Sequence, residues 1–555
     1  MKTYFRITSV IILFIISGAS NSVFAQPVPA SYLTGLPFSL PVIQMPTFPD
    51  RAINIIAHGA IADGQTMNTK AINDAIQECA KAGGGRVTVP AGVWLTGPIR
   101  FENNIDLHLE AGAIIMFSRN RDDFPLVPYP TPASKNLICA NPIYGYGLEN
   151  IAITGDGIID GSGEVWRPMK KEKYTANQWK KTISTGGVVT EDGKMWWPSQ
   201  QALQGEAYLK ALRKEKKVLS KEDFTGAKDF LRPNLVVFHS CKKVLFDGPT
   251  FRNSPKFCVN PVQCENLVIR NIKIQNDWSA QNGDGLDIGS SHNVVVYNCE
   301  VDAGDDAICL KSGAVDKEKG WIAACENIVI ADCIVYHGHG GFVIGSETYG
   351  GTRNISVRNC IFIGTDVGLR FKSSRNRGGL TENIYIDGIQ MKNIVNEAIL
   401  FDMYYEDDKP ANGEVRKSMP VTERTPQFQK FYVKNIICNG ASQAIFVQGL
   451  PEQFARDIEL TNITISATKG VTCIDAEGLQ FNNVRILLEQ GPVFDIDNAR
   501  DITITHPSYS AGADLFMKIV GKESENIKLL DADIKSAKKD FDLGKDVSPK
   551  VIIQK

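Results

Sequence analysis

The sequence lacks several features that would assign it to common functional classes. After a short apolar run from Val10 to Ile16, no stretch is long and apolar enough to span a membrane. Neither sign of charge dominates, because 60 Lys and Arg residues face 62 Asp and Glu residues, for a formal net charge of -2. This balance predicts no nucleic-acid partner, so any affinity for an acidic ligand must come from local patches. The twelve cysteines include no pair in CxxC spacing, which argues against a zinc site.

The N-terminus has the composition of a secretory signal peptide. Lys2 and Arg6 precede the apolar run, and Val23-Phe24-Ala25 offers a small-residue cleavage site. We therefore expect residues 1–25 to be removed and residues 26–555 to be exported, to the periplasm or out of the cell. No cysteine lies near the cleavage site, which argues against a lipid anchor. We expect no membrane insertion of the mature form.

One apolar pattern recurs along most of the chain. Segments with apolar residues at offsets +1, +3, +6 and +8 begin at Asn266, Asn293, Asn327, Asn354 and Asn383, in steps of 27, 34, 27 and 29 residues. Alternation with period 2 predicts β-strands, and asparagine tolerates the left-handed backbone of a sharp bend between them. The period is too short for a four-stranded propeller blade of roughly 40 residues. We predict an all-β fold, a right-handed parallel β-helix that forms a single domain over residues 26–555.

A helix is predicted at the start of the repeat. Asn68 and Thr69 can cap a helix that ends at Gly83-Gly84-Gly85. Its apolar face would consist of Ile72, Ala75, Ile76 and Cys79. The end of a solenoid exposes an apolar cross-section that must be covered. We therefore predict that this helix caps the N-terminal end of the β-helix.

Three segments interrupt the repeat. From about residue 168 to 232 the chain is rich in lysine, contains Trp179, Trp196 and Trp197, and has partly helical character. This insertion is either a solvated surface feature or a wall beside a cleft that holds an acidic sugar chain. Shorter insertions cover residues 314–324 and 406–425.

The cysteines fit the repeat better than a disulfide framework. Cys299, Cys333 and Cys360 each lie six residues after a repeat asparagine, where other coils carry isoleucine. Cysteine behaves as a small apolar residue in such a column. We predict core thiols, and leave individual disulfide bridges open because the protein is expected to be exported.

Polar residues cluster where the repeat is aligned between residues 282 and 372. Placing Leu286 over Ile308, Phe342 and Leu369 puts Asp284 and Asp306 in one column and Asp305 and His339 in another. Stacked parallel strands lie about 4.8 Å apart, so these side chains should be close neighbours. The same alternation turns four further residues outward onto this face, namely Lys311, Arg370, Lys372 and Tyr404.

Each of these residues also has an ordinary structural interpretation. Asp-Gly pairs are common in turns, a lone histidine is often structural, and Tyr404 is at least as readily a packing residue. Convergence of three acids favours chemistry, because neighbouring like charges raise the pKa of at least one carboxyl. A protonated acid beside carboxylates that hold water is what glycoside hydrolysis with inversion requires. Arg370 and Lys372 would suit the carboxylate of an acidic sugar.

The motifs NGDGLD, GDDAICLKSG, GHGGFVIGS and RFK resemble, in order, the four active-site blocks of the polygalacturonases, glycoside hydrolase family 28. The segments GGFVIGSE and SSRNRGG are similar to sequences of its bacterial exo-acting branch. The resemblance implies hydrolysis, with inversion and without a metal or other cofactor, of α-1,4-galacturonosidic bonds in pectin. It implies that Asp305 is the general acid, supported by His339, and that Asp284 and Asp306 activate water. Arg370, Lys372, Lys311 and Tyr404 are then expected to bind the substrate.

Other functions remain open from the sequence. A rhamnogalacturonan or substituted-galacturonan hydrolase would share the fold and the motifs. A pectate-lyase-like β-helix would use calcium and an arginine base, although His339 and the order of the motifs argue against it. A non-catalytic glycan-binding β-helix would retain its function after Asp305→Asn. The sequence does not determine the oligomeric state.

Overall fold

The computed structural model describes residues 22–24, 26–216, 218–313, 315–316, 321–322, 324–405, 407 and 416–555. Most of the expected signal peptide, and parts of the insertions at residues 314–324 and 406–425, lie outside these ranges. No helix within them is long and apolar enough to cross a membrane.

The described chain winds into a right-handed parallel β-helix, which confirms the predicted fold class. Its coils stack through parallel strand pairs. One 14-stranded parallel sheet, which we name the cleft sheet, carries the polar cluster described below. Its strands are Ile99–Arg100, Ile143–Tyr146, Val236–His239, Val259–Val262, Leu286–Gly289, Ile308–Lys311, Phe342–Ile344, Leu369–Lys372, Glu397–Asp402, Gln443–Gln448, Lys469–Ile474, Pro492–Asp497, Leu515–Val520 and Phe541–Leu543.

A second sheet of 27 strands forms the rest of the coil wall. Its strands are Ala52–Asn54, Gly85–Val89, Gly92–Thr96, Ile105–Leu109, Ala113–Phe117, Glu149–Gly155, Ile158–Asp160, Lys242–Asp247, Thr250–Arg252, Glu265–Arg270, Lys273–Gln275, His292–Tyr297, Glu300–Asp302, Cys325–Ala331, Ile334–His337, Thr352–Arg358, Ile361–Ile363, Leu380–Asp387, Gln390–Lys392, Gln427–Asn439, Ala455–Ala467, Ala476–Glu477, Gln480–Leu488, Arg500–Thr505, Ser508–Tyr509, Glu525–Leu530 and Ile552–Gln554.

The remaining elements are short. The α-helices are α1 (Thr69–Lys81), α2 (Ala176–Ser184), α3 (Gln200–Glu215) and α4 (Lys221–Thr225). The 3-10 turns are Ala30–Tyr32, Ile55–His58, Arg121–Asp123, Gly163–Val165, Lys171–Lys173, Lys228–Phe230 and Pro549–Val551. Small antiparallel sheets join Ser22–Phe24 with Thr47–Pro49, Leu126–Pro128 with Leu137–Cys139, Met195–Trp197 with both Met169–Lys170 and Val188–Val189, and Val315–Asp316 with Trp321–Ile322.

The core follows from the period-2 pattern. Leu286 pairs with Ile308, which pairs with Phe342, and the column continues through Leu369 and Ile399, as the alignment of the repeats predicted. All five side chains are buried inside the coil. The twelve cysteines are likewise buried and free, which confirms the prediction of core thiols.

Asparagines at the bend between two strands form a ladder that runs across coils. Asn293, Asn327, Asn354 and Asn383 all have φ between 55° and 57°, a left-handed conformation that asparagine tolerates. The amide Nδ2 of each of the last three donates to Oδ1 of the preceding asparagine, at 3.2, 3.0 and 3.4 Å in chain order. The bends thus stay in register from coil to coil.

Helix α1 covers the N-terminal end of the core, as predicted. Ile72, Ala75, Ile76 and Cys79 are fully buried. Asn68 is the N-cap residue, but its side chain does not cap the helix. It accepts from the N–H of Ile61 at 2.8 Å instead, and so joins the helix to the preceding loop.

The insertion folds as a small unit against the β-helix. Helices α3 and α4 bury Leu209 and Phe224 in a separate apolar cluster that includes Leu126 and Leu137 of a neighbouring hairpin. This hairpin joins Leu126–Pro128 to Leu137–Cys139. The insertion and the hairpin therefore form one wall, which we name the N-terminal wall.

Candidate active site

Three aspartates lie just before two adjacent strands of the cleft sheet. Asp284 precedes Leu286–Gly289, and Asp305 and Asp306 precede Ile308–Lys311. Main-chain hydrogen bonds fix their relative positions along the axis of the β-helix, since the N–H of Gly285 donates to the carbonyl of Asp306 at 2.9 Å. One carboxylate oxygen of each aspartate lies within 4.8 Å of the other two. The predicted convergence of these acids is confirmed.

A fourth acid that the sequence analysis did not assign a role joins this group. Asp287 is on the outward side of its strand and is only 1% exposed. Lys311 Nζ donates to Asp284 Oδ2 at 2.7 Å and to Asp287 Oδ2 at 2.9 Å. Lys311 was predicted to bind substrate, but here it holds two acids in place. The signal for Asp287 was available, because alternation already turned it outward next to Leu286.

Asp306 is held by two cations. Arg370 Nη1 donates to its Oδ1 at 3.0 Å, and Lys372 Nζ donates to its Oδ2 at 2.7 Å. Lys372 is only 4% exposed, so its ion pair with Asp306 is buried. Arg370 and Lys372 lie two coils beyond Asp306. Their positive charges are directed at the acid cluster.

Asp305 forms its main contact with His339. The N–H of His339 donates to the carbonyl of Asp305 at 2.8 Å, and His339 Nδ1 lies 3.0 Å from Asp305 Oδ1. On its other side, His339 Nε2 lies 3.7 Å from Asp366 Oδ2. Asp305 is the most exposed of the three acids, with 17% of its side chain accessible. It is thus the carboxyl that a bound molecule reaches most easily.

The surroundings of the four carboxyls shift their pKa values in opposite directions. Burial raises the pKa of Asp284 well above its usual value, and that of Asp287 too, despite the opposing charge of Lys311. Burial also acts on Asp305 and Asp306, but there the cations prevail. The hydrogen bond with His339 and the charge of Lys372 bring the pKa of Asp305 well below its usual range. Lys372 and Arg370 lower the pKa of Asp306.

This pattern partly agrees with the expectation from the sequence. A raised pKa was predicted for at least one acid, and the structure places it at Asp284. The residue expected to act as general acid, Asp305, is one of the two acids whose pKa is lowered. The reason is the fixed positive charge around it, which strand alternation alone does not reveal.

Two buried oxygens in this cluster have no hydrogen-bond donor among the described residues, Asp284 Oδ1 and Asp287 Oδ1. A buried carboxylate oxygen is stabilised by a proton or by a donor such as water. The cluster is also the only described group of acids with the geometry of a cation site. Lys311, Arg370 and Lys372 already pair with these acids, so charge balance does not call for a metal ion.

The prediction that Tyr404 faces the cleft is wrong. Tyr404 is 2% exposed and packs in the main core. The strand ends at Asp402, so its alternation no longer determines the direction of the following residues. Tyr405 occupies the predicted place, with Lys372 Nζ 4.8 Å and the Arg370 guanidinium 5.7 Å from its ring centroid.

The insertion contacts the loop that leads to the acid cluster. Lys173 Nζ donates to the carbonyl of Trp278 at 3.0 Å, and the Tyr174 hydroxyl lies 2.7 Å from Ser279 Oγ. Trp278 and Ser279 belong to the loop that leads to Asp284. Of the two interpretations of the insertion, the structure supports a wall beside the cleft. Trp278, which is 53% exposed at this rim, was not among the predicted site residues.

Comparisons with known proteins agree with these observations. The profile of the glycosyl hydrolases family 28 matches residues 175–476. An exo-poly-α-D-galacturonosidase of Dickeya chrysanthemi is 30% identical over 455 residues, which cover 78% of this chain and 70% of that protein. The solved exopolygalacturonase of Thermotoga maritima is 30% identical and superimposes with a TM-score of 0.63, over 80% of this chain and 93% of that one.

A second solved structure supports the fold alone. The family 28 exopolygalacturonase of Yersinia enterocolitica is 22% identical, with a TM-score of 0.59 over 91% of this chain and 80% of that one. The family profile, the 30% identical relatives and the acid cluster lead to one conclusion: the chain belongs to glycoside hydrolase family 28.

Proposed function

We propose that the protein is an exo-acting hydrolase of α-1,4-galacturonosidic bonds in pectin fragments. The observation that carries this proposal is the cluster of three convergent aspartates with Arg370 and Lys372 on its flank. Relatives named for exo-acting galacturonosidase activity support it. The N-terminal wall supports the exo mode, because a wall at one end of a cleft admits chain ends better than chain interiors.

Asp305 is the proposed proton donor. It is the most accessible of the three acids, and His339 Nδ1 lies 3.0 Å from its carboxylate. The lowered pKa in the free protein means that substrate must raise it. A galacturonate carboxylate near Arg370 and Lys372 offsets the positive charge that depresses the pKa of Asp305, and a bound sugar also removes water from it. The acidic substrate thus favours the protonation that its own cleavage needs.

Asp284 and Asp306 are proposed to hold the attacking water. Each accepts from at least one buried cation, so each is a poor nucleophile towards carbon but a suitable acceptor for water protons. The acids stand closer together than the roughly 6.5–9.5 Å usual for inverting enzymes. The proposal of inversion therefore does not rest on the separation of the acids. It rests on the pair of water-holding carboxylates, Asp284 and Asp306, and on the resemblance to the family, so the stereochemistry should be measured directly.

The test is a digest of de-esterified homogalacturonan, run in parallel with and without EDTA. Product size, the ultraviolet signal of unsaturated uronate and the anomer of the first product, by proton NMR, are followed together. We expect galacturonate or its dimer from the outset, as the β-anomer, without unsaturated product. A spread of oligomers would overturn the exo mode, and an initial α-anomer would overturn inversion. Unsaturated products that disappear in EDTA would establish a lyase instead. Release from rhamnogalacturonan but not from homogalacturonan would overturn the proposed substrate.

We also propose that the mature protein is exported. The basic and apolar pattern of residues 1–25 supports this. N-terminal sequencing of protein from the periplasm and medium should give Gln26 as the first residue. Protein retained in the cytoplasm with Met1 intact would contradict the proposal.

A further inference from the structure

Lys256 lies on the side of the acid cluster opposite to Arg370 and Lys372. Val259 pairs with Leu286, so Lys256 is one coil before Asp284 and close to its column. The N–H of Cys258 donates to the carbonyl of Asp284 at 2.9 Å, which agrees with this position one coil before Asp284. Lys372 lies two coils beyond Asp306. Cationic side chains thus stand on both sides of the acids along the axis of the β-helix.

The ammonium group of Lys256 is close to the acid cluster. Lys256 Nζ lies 4.9 Å from the centroid of the Phe257 ring, and Lys311 Nζ lies 4.2 Å from the same centroid. Lys311 in turn donates to Asp284. Lys256 and Lys311 therefore contact the same ring, and Lys311 already pairs with Asp284 and Asp287.

Lys256 differs from the other cations of the site in its partners. Lys311, Arg370 and Lys372 each contact a carboxylate, whereas within the described part of the chain Lys256 forms no ion pair. Burial and the charges of Arg232 and Lys311 lower its pKa, although the charges of Asp284 and Asp287 oppose this shift. A half-buried ammonium without an anion is unfavourable, and a bound carboxylate would relieve this cost.

The neighbouring Arg232 has a different role. Its Nη1 donates to the carbonyl of Gln281 at 3.0 Å, and its Nη2 donates to Asn282 Oδ1 at 2.8 Å. These bonds hold the loop in front of Asp284 and leave less of the guanidinium for a ligand. Arg232 thus adds positive potential beside Lys256. The N–H donors of the Lys256 ammonium group remain available for a ligand.

The N-terminal wall closes the cleft on this side. Tyr129 lies at the turn of its hairpin, where burial and the charge of Asp287 raise the pKa of its hydroxyl. The hairpin leads into Ile143–Tyr146 and the insertion leads into Val236–His239, the two strands of the cleft sheet that precede Val259–Val262 on this side. A sugar chain that enters from the side of Lys372 therefore meets the wall after it passes the acids and Lys256.

We infer that Lys256 binds the carboxylate of the galacturonate at the walled end of the cleft. This makes a terminal subsite on the opposite side of the scissile bond from Arg370 and Lys372. The inference rests on the proposed function and deepens it, because it names the residue that selects an acidic rather than a neutral sugar there. Lys256 acts in specificity, not in bond cleavage.

The test compares binding of galacturonate and galactose, which differ only at C6, a carboxylate in the first and a hydroxymethyl group in the second. Affinities are measured by ligand-observed NMR on the full chain, and kcat and KM on short galacturonate oligomers are measured in parallel. The variants are Lys256→Met, Lys256→Arg and the control Lys392→Met, a lysine on an exposed strand position. Thermal unfolding of each variant establishes that it is folded.

We expect the wild type to prefer galacturonate, and Lys256→Met to lose about tenfold or more of that preference, since a hydrogen bond to a charged group is lost. KM should rise more than kcat falls, Lys256→Arg should retain most of the preference, and the control should match the wild type. An unchanged preference in Lys256→Met overturns the inference, as does a loss confined to kcat. If the wild type prefers galacturonate through Lys256 but hydrolyses no galacturonan, the subsite stands and the proposed function fails.

Discussion

Replacement of Lys311 by methionine should destabilise the protein in a way that depends on pH. Lys311 Nζ is the cationic partner of both Asp284 and Asp287, whose side chains are almost fully buried. Removing one partner of a buried ion pair costs about 3–5 kcal/mol, because the remaining charge stays buried. With an unfolding entropy of about 2.1 cal/mol/K per residue, a chain of 555 residues loses about 3–4 °C of melting temperature for that change.

The sign of the pH dependence follows from the two carboxyls. Burial already raises the pKa of Asp284 and Asp287 in the folded protein, and loss of Lys311 raises both further. A carboxyl with a raised pKa contributes stability below its unfolded pKa of about 3.9, and this stability is lost as pH rises through the folded pKa. Lys311→Met should therefore melt closer to the wild type at pH 5 than at pH 8.

The assay is differential scanning calorimetry between pH 5 and 8, with Lys518→Met as control. Lys518 is also on the cleft sheet and pairs with Asp495 at 3.2 Å, but 39% of its side chain is exposed. Exposed pairs contribute about 0.2–1 kcal/mol, so the control should lose less than about 1 °C at any pH. A deficit in Lys311→Met that is the same at pH 5 and pH 8 would refute the reasoning, as would a deficit no larger than that of the control.

Three further predictions concern other residues. Asp305→Asn should lower kcat on galacturonan by about 10²–10⁴ with little change in KM, because general acid catalysis is removed; steady-state kinetics that show wild-type turnover would exclude Asp305 as the acid. In the wild type, the pKa of this acid should be higher in the pH profile of kcat than in that of kcat/KM, since only the former reports the substrate complex. Asp475→Asn should abolish a loss of melting temperature of about 1 °C between pH 5 and 7, because burial raises the pKa of Asp475 to about 6 and stability falls as pH rises through that value; an unchanged pH slope in calorimetry would contradict this.

The sequence predicts the coil wall well because strand alternation is local. Leu286, Ile308 and Phe342 must face inward once each strand forms, and stacking then fixes which residues are neighbours. The positions of Asp284 and Asp306 follow from the same register. This is why the proximity of these two acids could be predicted from residue spacing alone.

Beyond the strands the same reasoning fails. Tyr404 and Tyr405 follow the end of a strand, and main-chain turns decide which of them is buried. Lys256 and Lys173 reach the site from a neighbouring coil and from the insertion, at distances that no repeat specifies. The protonation of Asp305 depends on His339 and Lys372 together, so it follows from the assembled charges rather than from any single motif.

The asparagine ladder has a consequence for how such a chain can change. The step from Asn293 to Asn327 contains the insertion at residues 314–324 and is longer than the step from Asn327 to Asn354, yet the side-chain hydrogen bonds are alike, at 3.2 and 3.0 Å. Residues added on the cleft side of a coil therefore leave the vertical alignment of the acids unaltered. Rims of the cleft can be lengthened, shortened or exchanged to accept different sugar chains, while the hydrolytic centre is inherited intact.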